Sequence, residues 1–261
     1  MRPSPALEWE DLDLAAFGSS PLDQDSLRCL RYMHDVEFHT VCYLRDLLLT
    51  PAHTDPELTA FLSTWVYEEL WHGEALAAVL EAHGEEHGQL RVAALRGGLG
   101  WRDRLRPLLA ALGGWWAGDD LVALLMAWGA LNESTTQAGY SLLARRAGHP
   151  VLQELVGRIM RQEGRHLDFY TRQAARRLAV SRRARRLTRA ALSMLWRPVG
   201  SGVLPAAEST FLLRHLMGGP DGQTAVERLD RRLDRLPGLS DLRLVRRAVA
   251  RAGVRPAPGP V

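Results

Sequence analysis

The chain has 261 residues, 46% hydrophobic and only 7% aromatic, with a formal net charge of +3. That length can bury the core of one domain with a small appendage, and abundant Ala, Leu and Arg with few β-branched runs point to an all-α protein. Cys29 and Cys42 are too few for a disulfide framework or a thiolate metal site. The longest apolar run, LVALLMAWGAL at 121–131, is too short to span a bilayer, and no N-terminal run resembles a secretory signal, so a cytoplasmic protein without a membrane partner is expected.

Residues 1–19 read as an irregular N-terminal segment. Ser20 then offers a cap, with Pro21 at the first helical position and acids in the first turn, for a helix running to about Leu49. Asp55 and Pro56 repeat that signal for a second helix stopping near Gly84. A connecting segment follows, with a shorter helix around 103–112. Asp119 opens a third long helix ending at RRAGHP, and Pro150 starts a fourth that reaches about Leu178. A fifth runs to about Leu195, a break falls at RPVGSGVLP, and shorter helices lead to a disordered RPAPGPV tail. The expected organisation is a helical bundle over 20–198, a C-terminal helical extension over 199–252 and a disordered tail over 253–261.

Each long helix carries a stripe with 3–4 spacing. The first reads Leu30, His34, Glu37, Val41, Leu44, Leu48, and the second Leu58, Leu62, Trp65, Glu69, His72, Leu76, Val79. The third reads Val122, Met126, Gly129, Glu133, Thr136, Tyr140, Leu143, and the fourth Leu152, Val156, Ile159, Glu163, His166, Tyr170. Every stripe has a glutamate near its middle, and two add a histidine three residues on. With 15 Glu and 9 His in the chain, random order gives roughly half an E-x-x-H, so the pattern draws its weight from its place in the seams. Four converging buried carboxylates are costly and mutually repulsive. A pair of divalent cations removes both costs, with Glu37, Glu69, Glu133 and Glu163 as ligands or bridges and His72 and His166 as terminal ligands. Glu68 and Glu74 are expected to face solvent, His83 and His87 to lie at a frayed helix end, and the cysteines to act as small apolar fillers.

At these residues the chain resembles the ferritin-like di-iron carboxylate superfamily, and within it the soluble acyl-acyl carrier protein desaturases. WVYEELWHGEAL resembles that family's tryptophan-containing E-E-x-x-H-G segment, with Trp65 four residues before Glu69. QEGRHLDFYT resembles its D-E-x-R-H-x-x-x-Y-T segment through Arg165, Tyr170 and Thr171, and NESTT sets Thr136 where the family has a threonine assisting proton delivery. The likeness covers roughly residues 25–180. It departs at Gln162, where the family usually has an aspartate that orients a ligand histidine, and at Leu70 and Trp71 before His72.

The resemblance implies a ferritin-like four-helix bundle holding two iron ions, with manganese acceptable at one or both sites. It implies an O2-dependent oxidoreductase that desaturates or otherwise oxidises an acyl chain on acyl carrier protein, with Thr136 as the catalytic side chain. An external electron donor such as ferredoxin and a homodimer are implied as well. Residues 101–261 hold 13 acids against 27 arginines, and Arg172, Arg176, Arg177, Arg182, Arg183, Arg185, Arg186 and Arg189 offer an acidic carrier a landing surface. Three readings stand beside this one: a hydroxylase or N-oxygenase of free small molecules, a ferroxidase or peroxidase, and a metal-free helical interaction module. No RNA-binding or nucleotide-binding motif occurs, so nucleic acid is not an expected partner.

Overall fold

A computed structural model describes residues 6–98 and 100–254, with the side chains of 101–104, 106 and 110 left aside. It is all-helical, 79% helix, with no strand among the described residues. Contacts divide the chain into two compact units, Met1–Trp116 with Leu143–Gln162, and Ala117–Leu142 with Glu163–Val261.

The first unit begins with the short α1 (Ala16–Ser19) and the long α2 (Gln24–Leu48). The expected start at Ser20 and Pro21 is three residues too early. Asp23 is the cap, accepting from the Ser26 N–H, and the Leu22 N–H just before it donates to Nε2 of His83 at 3.0 Å. A 3-10 turn (Pro51–Thr54) leads to α3 (Pro56–Ala82), which opens as expected: Asp55 accepts from Glu57 and Leu58 and Pro56 takes the first position. The bond between Leu22 and His83 sets the start of α2 beside the end of α3, so the two run antiparallel. Their close approach is made at Gly73, where an added Cβ would lie 2.8 Å from the Phe38 ring. His83 is thus a fixed connector and not a frayed end.

Two helices, α4 (Gly88–Gly97) and α5 (Trp101–Ala117), replace the single one expected around 103–112. α4 buries Val92 alone among its residues and is held by distant polar ones. Buried His34 receives the Gly88 N–H on Nε2, and Arg91 grips both oxygens of buried Asp35 at 2.9 and 2.8 Å. Those two residues are spent on this docking. The ends of α6 (Asp119–Ala147) and α7 (Pro150–Val180) that belong to this unit meet where Gln153 donates to the Ala144 carbonyl.

In the second unit the other ends of α6 and α7 meet through Gly129, whose bare Cα leaves room for the ring of Tyr170, and through Ser181 donating to Asp120. Ser181 also caps α8 (Arg182–Leu195) by accepting from Ala184. Three shorter helices follow, α9 (Ala206–Met217), α10 (Gly219–Asp234) and α11 (Leu244–Arg251), which pack on one another. Of the expected 253–261 tail, residues 255–261 lie outside the described residues.

The stripes of α3 and α7 are buried throughout, and that of α6 is buried apart from half-buried Gly129 and Thr136. The α2 stripe is buried only through its first half; Val41 is 46% exposed and Leu48 39%. A 3–4 repeat marks which residues share a face, and a neighbour has to cover that face before it is buried.

Candidate metal centre

A glutamate and a histidine three apart on a helix share one face. In α3 this places Glu69 and His72 together, with His72 Nδ1 3.2 Å from Glu69 Oε2. In α7 it does the same for Glu163 and His166, with His166 Nδ1 3.6 Å from Glu163 Oε2. Both imidazoles therefore turn Nδ1 toward a carboxylate of their own helix. Glu37 comes from α2 and Glu133 from α6. All six residues are buried, none more than 6% exposed.

They gather into two overlapping groups. Glu37, Glu69, His72 and Glu163 form one, and Glu69, Glu133, Glu163 and His166 the other, with one ligand atom of each residue within 4.8 Å of the rest of its group. Glu69 and Glu163 belong to both. Two carboxylates shared by two sets, each completed by a further glutamate and a histidine, would let this arrangement hold two cations, with Glu69 and Glu163 available to both.

The donors fit divalent iron or manganese. Hard carboxylate oxygens with one imidazole nitrogen per set make the mixed oxygen and nitrogen shell these ions accept. Four ionised glutamates held this close in a dry interior repel strongly, and cations offset that repulsion.

Gln162, 6% exposed, supports one ligand directly. Its Oε1 lies 2.9 Å from His72 Nε2 and is placed to accept the Nε2–H, which leaves Nδ1, the nitrogen beside Glu69, facing the carboxylates. A neutral amide thus orients His72 without adding a charge behind it. Thr136 is half-buried one turn beyond Glu133 on the same helix, and Trp65 is buried one turn before Glu69.

Comparison with protein families, curated proteins and solved structures gives no match for this chain.

Several other expectations change. Glu68, expected in solvent, is 2% exposed, and Glu74 is half-buried. Glu68 precedes Glu69 on a helix whose burial extends over more than half its circumference, which a single 3–4 stripe does not reveal. Cys29 is fully buried and its thiol is pushed up to about 12, first by burial and then by Asp25 and Asp23, so it stays protonated and acts as an apolar filler. Two of the arginines read as a landing surface are tied to backbone carbonyls: Arg185 to Leu178 and Ala179, and Arg189 to Gly238 and Ser240. Arg172, Arg176, Arg182, Arg183 and Arg186 remain exposed and Arg177 half-buried.

Proposed function

We propose that the protein is a ferritin-like di-iron, O2-dependent oxidoreductase acting on an acyl chain presented by acyl carrier protein. The observation that carries this reading is the pair of buried ligand groups sharing Glu69 and Glu163. The substrate class rests on the sequence resemblance around Glu69, Glu133 and Glu163. When bound, the metal pair supplies electrons to dioxygen for removing hydrogen from an unactivated C–H bond. The chain's own residues do the rest. Burial of the six ligands excludes bulk water, Gln162 holds His72 with Nδ1 facing the carboxylates, and the Thr136 hydroxyl is the candidate proton carrier one turn from Glu133. Exposed Arg172, Arg176, Arg182, Arg183 and Arg186 offer positive charge to an acidic carrier.

Metal content after anaerobic loading with ferrous iron tests the centre. About two ions per chain are expected. Glu163→Gln, at a residue common to both groups, should lower both occupancies, whereas Glu37→Gln should weaken only one. A protein that holds no iron after this treatment would overturn the assignment. A loaded protein that, supplied with ferredoxin and dioxygen, leaves carrier-bound acyl chains unchanged would overturn the substrate class alone.

A further inference from the structure

The outer face of α5 carries an apolar stripe that the metal centre does not use. Leu105, Leu108, Leu109, Leu112 and Trp116 follow one another at helical spacing, with Trp115 beside them, and all six are between 41% and 88% exposed. The stripe is about 16 Å long. Buried Gly114 and Ala117 hold the opposite face, Gly114 against Thr50 and Pro51. That contact brings in the end of α2, where Leu48 and Leu49 are 39% and 44% exposed. Contiguous exposed apolar surface of this extent marks an interaction site on a folded protein.

The charge of the segment points to what it meets. Residues 1–87 hold 17 acids and four arginines, but residues 100–117 hold three arginines and one acid, a local net charge of +2. Arg102, Arg104 and Arg106 fall in the first two turns of α5, and Trp115 and Trp116 close its last turn. An anionic bilayer surface complements both features, taking the leucines into the acyl boundary and the indoles at headgroup depth beside a positively charged stretch of sequence. No helix among the described residues is long and apolar enough to cross a membrane, and a helix lying in the surface needs no such length.

We propose that α5 is a peripheral docking helix for anionic membrane surfaces, through the stripe from Leu105 to Trp116. The proposal does not rest on the metal centre. It departs from the sequence-based expectation of no membrane partner, which rested on the lack of a spanning run.

The full chain is mixed with vesicles of phosphatidylcholine alone or with roughly 30% phosphatidylglycerol, and binding is read by co-sedimentation and tryptophan emission. Binding to the anionic vesicles is expected, about tenfold or more above neutral ones and weakened by salt. The double variant Leu109→Glu with Leu112→Glu should lose about tenfold or more of that affinity. Trp115→Ala should lose less, and both variants should keep the far-ultraviolet circular dichroism of the parent because the altered side chains are exposed. Failure to bind anionic vesicles overturns the proposal, as does equal binding by the double variant. A dimer in solution that the double variant dissociates also overturns it, because the stripe would then be covered by a second copy.

Discussion

Tyr170 ends the stripe of α7, and its ring fills the space over Gly129 that any other residue at 129 would occupy. The stripe read from sequence includes both residues, yet only their apposition explains why a glycine sits inside a long helix. Gly129→Ala puts a methyl group into the Tyr170 ring. It gains about 1 kcal/mol in helix propensity but incurs an overpacking cost of about 1–3 kcal/mol, so a net loss of stability is expected in chemical denaturation. A midpoint raised by the propensity gain would show that the ring moves aside freely. At the metal centre the residue types were legible, because E-x-x-H in two amphipathic seams is a local pattern. The role of Gln162 was visible only as a departure from an aspartate. That its amide meets Nε2 and leaves Nδ1 for the carboxylates depends on a contact across 90 positions of sequence.

Among the elements, those with a local start signal open where the sequence places them: Asp55 with Pro56 for α3, Asp119 for α6 and Pro150 for α7. α2 starts three residues late because Asp23, and not Ser20, is the residue that accepts a first-turn N–H, that of Ser26. A helix fastened from afar was missed: α4 is held by His34 and Asp35 on α2. α11 shows the same device. Its N-cap, Arg243, makes no side-chain cap hydrogen bond, and Asp230 on α10 accepts from the N–H groups of Val245 and Arg246. Asp230→Ala should therefore cost about 1–2 kcal/mol, with a smaller loss for Asp230→Asn, measured by denaturant unfolding. Burial raises the Asp230 carboxyl above its usual value, while the two backbone bonds pull it back. The folded state thus holds this proton more tightly than the unfolded one. Its contribution to stability falls as pH rises from the ordinary carboxylate value through the raised one, and Asp230→Asn should flatten that slope.

At the scale of the whole molecule, four glutamates lie buried in the two candidate ligand groups. Without metal, Glu69 and Glu163 belong to both groups and face the most like charge. The double variant Glu69→Gln with Glu163→Gln is expected to unfold at a higher temperature than metal-free wild type, because it removes two buried charges. Ferrous iron at 100 times its dissociation constant should stabilise the wild type by about 2.7 kcal/mol per site and leave the double variant nearly unmoved. Scanning calorimetry of both proteins with and without iron measures each difference. A metal-free double variant less stable than wild type would mean that these carboxylates earn their place through hydrogen bonds instead.

The all-helical class and the positions of the long helices follow from local chemistry, since capping residues and 3–4 periodicity act within a few turns. The six candidate ligands were legible for the same reason: a carboxylate in the middle of an apolar stripe is a local anomaly wherever the chain goes. Packing decided what depends on neighbours from other parts of the chain. It buries Glu68, leaves the second half of the α2 stripe and the whole α5 stripe exposed, and makes Glu69 and Glu163 the shared pair. Periodicity assigns residues to a face of their own helix, and only the tertiary structure determines what that face meets.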